Sequence, residues 1–168
     1  MNVERFGKNK VAIVFIIVVA LCLLARAFLF GVYVVPSASM LPTIKQGDMF
    51  FGNKIAYINS QPKQNDIVCF KYKGITLVKR VIATEGQTVE IKEGNVFVDG
   101  EQLSHDDTFT LNPDIHYPLI IPKGYIWVMG DNRHNSQDSR YFGVIPCKDV
   151  VAKVGIRYFP LDKIGVIR

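Results

Sequence analysis

The chain has 168 residues and three cysteines, and its formal net charge at pH 7 is +5. This length suits one compact domain beside a membrane segment, and three widely spaced cysteines exclude a disulfide framework or a CxxC metal site. The basic residues are scattered, without an RNP-like aromatic motif or zinc-ligand spacing, so no nucleic-acid partner is expected. Positive charge beside an apolar segment instead favours a membrane surface with anionic lipid.

The N-terminal region has the pattern of a membrane anchor. A short polar segment at residues 1–10 precedes an apolar run that begins at Val11, is interrupted by Arg26 and then resumes. The two runs together are long enough for a transmembrane helix, which we assign to residues 11–30. Cations before the run predict a cytoplasmic N-terminus, so residues 31–168 are expected to form an extracytoplasmic domain of a single-pass cell-membrane protein.

A cleaved secretory signal is the alternative for this region. Ala25-Arg26-Ala27 has the A-x-A form of a cleavage site, and the preceding apolar run has the length of a signal-peptide core. The residues that follow, from Phe28 to Val35, are strongly apolar and would make an unusual mature N-terminus. Retention as an anchor is therefore the favoured interpretation.

The next feature is a turn at residues 35–44 that carries two hydroxyl groups. Ser37 and Ser39 lie between Pro36 and Pro42, directly after the apolar segment. Serine and proline are ordinary turn residues, so this pattern alone requires nothing more than a turn. The other interpretation is a serine nucleophile beside an oxyanion donor, which needs a base elsewhere in the chain.

From Gly47 onward, period-two alternation and glycine-containing turns predict a mostly β domain. Strands are predicted at residues 48–54, 66–72, 74–83, 120–129 and 150–158, with a β-hairpin at residues 88–100. In the first of these strands, Phe50 and Phe51 are predicted to form an exposed aromatic pair.

The strand at residues 74–83 contains a lysine in apolar surroundings. Alternation places Lys79 between Leu77 and Val81 on one face of the strand. Burial disfavours the charged form of lysine, so it lowers the pKa from about 10.4 and lets the amine act as a base. The alternative is a lysine on an edge strand, with its ammonium in solvent or blocking edge pairing.

Three separated blocks of sequence match one pattern, in order, behind the apolar segment. They are PSASMLPT at residues 36–43 with Gly47-Asp48, VKRVI at residues 78–82, and GDNR at residues 130–133 followed by Asn135-Ser136 and Asp138-Ser139-Arg140. With the hairpin, they resemble bacterial type I signal peptidases, the leader peptidase family of membrane-anchored Ser/Lys endopeptidases. The resemblance implies a signal-peptidase-like β catalytic domain with a β-hairpin insertion behind one transmembrane helix. It also implies removal of signal peptides from exported preproteins after small residues, at A-x-A type sites.

The resemblance also implies roles for individual residues. Ser39 resembles the nucleophile and Lys79 the general base, while Ser37 and the backbone N–H of Ser39 resemble the oxyanion donors. Ser136 resembles the hydroxyl that orients the lysine amine. The charged support of the site is then Asp131, Asp138, Arg80 and Arg140, and the walls of the shallow substrate pockets are Tyr33, Val35, Met40, Ile44, Leu77 and Val78.

Two features of the sequence leave alternatives open at the site. His134 lies near Asp131, Asp138 and two serines, so a Ser-His-Asp triad is conceivable, although the family commonly carries Asp at the position of His134. Ala38 stands where the family often has glycine, which raises the question of whether the turn needs a positive φ.

No metal or organic cofactor is expected. His105, Asp106, Asp107 and His116 lie in one loop, but no pair of them has a recognised metal-ligand spacing. The expected partners are exported preproteins and membrane lipid. The side chains of Phe28, Phe30, Phe50 and Phe51 are expected to enter the surface of the bilayer. Cys69 and Cys147 are expected to be buried free thiols, although their pairing stays open.

Two other functions remain compatible with the sequence. One is a Ser/Lys maturation peptidase dedicated to a single secreted or conjugation substrate. The other is an inactive anchored β domain that binds secreted chains without cutting them, and the presence of Ser39, Lys79 and Ser136 argues against it.

Overall fold

The computed structural model describes residues 3–104 and 113–167. Its first element is helix α1, Val3–Leu29, which runs directly into strand β1, Phe30–Val34. The apolar side chains of α1 from Val11 to Leu24 are exposed, with Val11 at 71% and Phe15 at 68% of their maximal accessibility. Among the described residues, no helix combines the length and the hydropathy needed to cross a membrane, so the transmembrane anchor stays a prediction.

The described remainder of the chain is mostly β, as the sequence predicts. The strands after β1 are β2 (Met49–Asn53), β3 (Ile67–Tyr72), β4 (Ile75–Thr84), β5 (Thr88–Lys92), β6 (Asn95–Val98), β7 (Glu101–Ser104), β8 (Leu119–Ile120), β9 (Tyr125–Met129), β10 (Ile145–Pro146), β11 (Val150–Phe159) and β12 (Gly165–Val166). A short helix, α2 (Ser139–Phe142), lies between β9 and β10.

These strands form two sheets. The larger sheet has the order β1-β2-β11-β3-β4-β9-β10, with β12 paired to β11, and the smaller has the order β7-β6-β5-β8. The predicted hairpin is present, because β5 and β6 pair in antiparallel register around the turn at Glu93-Gly94. The hairpin begins the smaller sheet, which is inserted between β4 and β9 of the larger one. Strands β4 and β9 therefore pair directly although the insertion separates them in sequence.

Both faces of the larger sheet are apolar, and alternation along β3 shows how. Ile67 and Cys69 belong to one hydrophobic cluster, whereas Val68 and Phe70 belong to another on the opposite face. The insertion packs against a third cluster, which includes Trp127 of β9. Central strands of this sheet therefore have buried residues on both faces, and a residue at the centre of β4 is shielded from water.

The strand predicted at residues 120–129 is wrong, because two strands in different sheets occupy this range. Strand β8 pairs with β5, and β9 pairs with β4. The break lies at Pro122-Lys123-Gly124, where proline has no N–H to donate and Gly124 has a φ of 76°.

The prediction that Phe50 and Phe51 are both exposed is also wrong. Neighbouring residues of a strand point to opposite faces, so Phe51 is 39% exposed while Phe50 is fully buried. The ring of Phe50 stacks on that of Tyr33, with centroids 5.5 Å apart. Phe50 is therefore part of the core and does not reach a membrane surface.

Two glycines make room for the Tyr33 ring. Gly31 and Gly52 are paired across β1 and β2. A Cβ built on Gly52 would lie 2.6 Å from Tyr33 Cε2 and 3.0 Å from the Cβ of Ala152. Because Tyr33 is held by its stacking on Phe50, the ring cannot move aside without losing that contact.

We expect Gly52→Ala to lower the free energy of unfolding by about 1–3 kcal/mol, because it overpacks this contact. Chemical denaturation followed by circular dichroism measures the change. Gly165→Ala is the matched control, since a Cβ there meets no atom within 4 Å. A cost for Gly52→Ala that is no larger in the wild-type background than in a Tyr33→Val background would contradict the steric explanation.

Candidate active site

The serine turn lies between β1 and β2 and is anchored by its own apolar residues. Met40 and Ile44 are fully buried, and Ile44 N donates to Met40 O at 2.8 Å. Leu41 N donates to Ala38 O at 3.2 Å and closes the turn around Ser39. Ala38 is not among the described residues with positive φ, so its difference from the glycine of the family causes no backbone strain.

Lys79 comes from the middle of the larger sheet. Strand β4 lies between β3 and β9, so Lys79 is not an edge-strand lysine, and it is only 3% exposed. Its Nζ donates to Ser39 Oγ at 2.7 Å, which joins residues 40 positions apart in the chain. The hydroxyl of Ser37 lies 3.2 Å from Ser39 Oγ. The fold thus brings together the lysine and both serines singled out in the sequence.

Burial lowers the pKa of Lys79 from 10.5 to about 8. Nearby charges act in both directions, because Asp138 and Asp131 raise this pKa while Arg140 lowers it. With a pKa near 8, roughly one tenth of the amines are neutral at pH 7, whereas a lysine in water has well under a thousandth. A neutral amine beside a hydroxyl can accept its proton, which is the requirement for a general base.

The loop that follows β9 ties the base strand, which is the strand β4 that carries Lys79, to the serine turn. Arg80, the residue after Lys79, pairs with Asp131 through two hydrogen bonds, from Nε to Oδ1 at 2.8 Å and from Nη2 to Oδ2 at 2.7 Å. Such a bidentate pair fixes orientation as well as distance. The predicted ion pair between this loop and the base strand is therefore present in the structure.

The second ion pair, between Asp138 and Arg140, lies within the loop and is completely buried. Arg140 Nε donates to Asp138 Oδ1 at 2.8 Å, and Gly130 N donates to Asp138 Oδ2 at 3.0 Å. Ser139 Oγ accepts a hydrogen bond from Val128 N at 2.9 Å. These contacts fold the loop back onto the end of β9.

Sequence reasoning did not single out Gly130 or Asn132, and both contact the serine turn. A Cβ on Gly130 would lie 2.4 Å from the carbonyl oxygen of Ser39 and 2.3 Å from Ser136 Oγ, so only glycine fits. Asn132 donates from its backbone N to Ser39 O at 3.0 Å and from Nδ2 to Ala38 O at 3.1 Å. Both residues stand in the matched block at residues 130–133, but their partners are distant in sequence.

Ser136 is buried close to the backbone of Ser39, but its hydroxyl makes no hydrogen bond. Its Oγ is inaccessible and has no hydrogen-bond partner, so no bond joins it to Lys79 Nζ in this structure. The orienting role of Ser136 therefore stays a prediction.

The six predicted pocket residues do not form one group. Val35, Met40 and Ile44 belong to one hydrophobic cluster, and Tyr33 and Val78 pack against it. Leu77 packs against the cluster on the other face of the sheet. The first five therefore share the hydrophobic cluster that anchors the serine turn, whereas Leu77 belongs to the strand face of Lys79.

The alternative base, His134, is not among the hydrogen-bond partners of Ser39 Oγ. His134 is exposed in a short 3₁₀ turn at Arg133–Asn135. The hydrogen-bond partners of Ser39 Oγ are Lys79 Nζ and Ser37 Oγ. Geometry thus favours the lysine over the histidine as the base for Ser39.

In the described ranges, no three His, Cys, Asp or Glu side chains are grouped as metal ligands. His105, Asp106 and Asp107 lie outside the described residues. Cys69 and Cys147 are both free thiols; Cys69 is buried, and Cys147 is partly exposed.

Comparison with known proteins identifies a family and several relatives. The family described as signal peptidase, peptidase S26, matches residues 8–159. A probable signal peptidase I-1 from Synechocystis is 36% identical over 172 residues, which cover 96% of this chain and 87% of that protein. Signal peptidase I P from Bacillus subtilis subsp. natto is 37% identical over 163 residues, covering 89% and 88% of the two chains.

Two further similarities are partial. Thylakoidal processing peptidase 1 from Arabidopsis thaliana is 35% identical over 78% of this chain, which spans only 42% of that relative's length. A solved signal peptidase I from Enterococcus faecalis is 28% identical, with a TM-score of 0.45 over 56% of this chain and 97% of that one.

We expect Lys79 to titrate near pH 8 in the folded protein, because burial disfavours its ammonium form. The ¹³Cε chemical shift of Lys79, assigned by comparison with Lys79→Met and followed from pH 6 to 11, measures the midpoint. The pKa of Lys79 is lower in the folded than in the unfolded chain, so the contribution of Lys79 to stability should grow with pH between about 8 and 10.5. Burial raises the pKa of the Cys69 thiol and acts in the opposite direction, so the Lys79 contribution is measured as the difference in stability between wild type and Lys79→Met.

The urea-unfolded protein is the control for this titration, and its lysines should titrate near 10.4. Across the same pH window, the stability of wild type should rise relative to that of Lys79→Met, since the variant lacks this buried titrating group. A folded-state midpoint for Lys79 above about 10 would show that burial does not lower its pKa in this way.

Proposed function

The chain belongs to the signal peptidase family, peptidase S26, and from this premise we propose that it is a membrane-bound serine endopeptidase. Its substrates are exported preproteins, which it cleaves after the small residues of A-x-A type sites. The observation that carries the proposal is the 2.7 Å hydrogen bond between the buried amine of Lys79 and the hydroxyl of Ser39. That contact supports the pairing of nucleophile and base on which a serine peptidase depends.

The first chemical step is acylation of Ser39. With Lys79 neutral, its Nζ lone pair accepts the hydroxyl proton while Ser39 Oγ forms a bond to the scissile carbonyl carbon. The carbonyl π electrons move to oxygen and give a tetrahedral oxyanion. General-base assistance of this kind contributes about 10²–10⁴-fold to the rate.

Two donors are proposed to stabilise the oxyanion, namely the hydroxyl of Ser37 and the backbone N–H of Ser39. The Ser37 hydroxyl lies 3.2 Å from Ser39 Oγ. In the tetrahedral intermediate, Ser39 Oγ and the oxyanion are bonded to the same substrate carbon, so the Ser37 hydroxyl is close enough to reach the oxyanion. One oxyanion donor contributes about 10²–10³-fold to kcat in a well-studied serine protease. The proximity of Ser37 to the nucleophile is the support for this assignment.

The remaining steps return the enzyme to its starting state. The protonated Lys79 gives its proton to the leaving amine as the C–N bond breaks, which releases the mature protein and leaves the signal peptide esterified to Ser39. Lys79 then accepts a proton from water, whose oxygen attacks the ester. Collapse of the second tetrahedral intermediate releases the signal peptide as a carboxylic acid, which loses its proton to solvent, and Ser39 Oγ takes the proton back from Lys79.

Small-residue specificity is proposed to arise at the apolar base of the serine turn. Val35, Met40 and Ile44 are tightly packed, with Tyr33 and Val78 beside them. A surface backed by such a filled core leaves only shallow depressions, which suits alanine and excludes larger side chains. Leu77 lies in another cluster, so its proposed part in the pocket has less support than that of the other five.

Membrane attachment is proposed through α1, with the N-terminus in the cytoplasm. The exposed apolar side chains of α1, which include Phe28, and those of Phe30 and Phe51 support this proposal. Such a surface is stable only when it is covered by lipid or protein. Attachment would hold the cleft near the point where a signal peptide leaves the bilayer.

We expect Ser39→Ala and Lys79→Ala each to reduce cleavage of a preprotein by at least about 10³-fold, because each removes one half of the dyad. The assay uses the full chain purified in detergent, a secreted preprotein with an A-x-A site, and N-terminal sequencing of the product. Circular dichroism confirms that each variant is folded.

Lys71→Ala and His134→Ala serve as controls, since both side chains are exposed and neither is a hydrogen-bond partner of the Ser39 hydroxyl. Both should keep activity within about twofold of wild type, as surface substitutions usually do. The proposal fails if the wild-type protein cuts no preprotein, or if Lys79→Ala remains fully active while His134→Ala does not.

A further inference from the structure

We propose that Asn132 is a positioning residue that aims both the oxyanion donor and the nucleophile of this site. The inference rests on the proposed function, because it assigns Asn132 a part in the same Ser/Lys chemistry. Two hydrogen bonds carry it. Asn132 Nδ2 donates to Ala38 O at 3.1 Å across 94 positions of sequence, and Asn132 N donates to Ser39 O at 3.0 Å.

The peptide bond between Ala38 and Ser39 links the first contact to the oxyanion donor. In a planar trans peptide, the C=O of one residue and the N–H of the next point in opposite directions. A donor that holds Ala38 O therefore also sets the direction of the Ser39 N–H. Asn132 binds the carbonyl side of this peptide, which leaves the N–H side free to face the substrate.

The second contact fixes the peptide that follows Ser39. With Ala38 O and Ser39 O both held, the peptide planes before and after the Ser39 Cα are fixed together. The direction of the Ser39 Cα–Cβ bond then depends on these planes, and so does the position from which Oγ meets Lys79. One asparagine thus orients both groups that Ser39 contributes to the reaction.

The internal hydrogen bond of the turn cannot do the same. Leu41 N donates to Ala38 O at 3.2 Å, but this bond lies within the turn and moves with it. Asn132 instead belongs to the loop that the Asp131–Arg80 pair ties to the base strand. Two successive loop residues therefore hold the two halves of the dyad. Asp131 binds Arg80, the neighbour of Lys79, and Asn132 binds the backbone of Ser39.

Loss of the Asn132 amide should act mainly on the transition state. A misplacement of about 1 Å at reacting groups can cost about 100-fold in rate. We therefore expect Asn132→Ala, which keeps the backbone N–H, to reduce kcat by about 10–100-fold with little change in KM. Asn132→Asp should lose at least as much, because its carboxylate cannot donate to Ala38 O.

The test compares these two variants with wild type in the full chain, in detergent, using the preprotein assay. Asn135→Ala is the matched control, an exposed asparagine of the same loop, and should stay within about twofold of wild type. Melting temperatures are recorded for every variant. The acidic limb of the pH–rate profile should keep its midpoint in Asn132→Ala, because burial, the main cause of the lowered pKa of Lys79, is unchanged.

A pair of inhibitors separates positioning from simple structural support. A peptide aldehyde that ends in the A-x-A residues adds to Ser39 and places its oxygen at the oxyanion donors, whereas the matching peptide alcohol binds without forming a bond. Asn132→Ala should weaken the aldehyde in parallel with kcat and leave affinity for the alcohol unchanged. Equal weakening of both, an unchanged kcat, or a shifted pH midpoint would overturn the inference.

The inhibitor pair also distinguishes this inference from the proposed function. If wild type cuts no preprotein but binds the aldehyde more tightly than the alcohol, and Asn132→Ala removes that preference, then the positioning role stands while the preprotein substrate is wrong. If wild type does not prefer the aldehyde, Asn132 has no oxyanion donor to position and the inference fails.

Discussion

The buried contact between a lysine amine and a serine hydroxyl is the interaction on which the site depends. The base role proposed for Lys79 requires that water be kept from its ammonium form, since burial is the main reason that its pKa falls to about 8. The interior position of β4, with apolar clusters on both faces of the sheet, supplies that burial. The sheet therefore lowers the pKa of Lys79 as well as holding it in position.

Because Lys79 is buried, nearby charges must be balanced, since an unbalanced charge would raise or lower the pKa of Lys79. Asp138 and Arg140 are both completely buried, and they act on the pKa of Lys79 in opposite directions. Two hydrogen bonds hold them together, from Arg140 Nε to Asp138 Oδ1 at 2.8 Å and from Arg140 Nη2 to Asp138 Oδ2 at 2.9 Å, while their effects on the pKa of Lys79 oppose each other. Removing either partner would leave an uncompensated buried charge next to the base, which is costly in itself.

The serine turn is held from three sides. Met40 and Ile44 anchor it in the core, and Asn132 binds its backbone from the loop after β9. On the third side, Arg157 of β11 donates to Asp48 Oδ2 at 2.7 Å and to the carbonyl oxygen of Thr43 at 3.2 Å. A serine that must meet a fixed amine cannot lie on a mobile turn, and these contacts give a physical reason why the matched sequence block extends to Gly47-Asp48.

Local pattern in the sequence was sufficient for the strands, the hairpin and the lysine in apolar surroundings, because alternation depends only on neighbouring residues. It failed at Phe50 and at residues 120–129, where tertiary packing and the break at Pro122 decided the outcome. The resemblance singled out Ser39 and Lys79, but only the fold brings their atoms to 2.7 Å. No local pattern predicts the roles of Gly130 and Asn132, because both contact backbone atoms of the serine turn, more than 90 positions away in the sequence. The sequence by itself determined the residue types that can perform the chemistry; the tertiary structure decided which of them are buried, paired and aimed, since those properties depend on segments that meet only when the chain is folded.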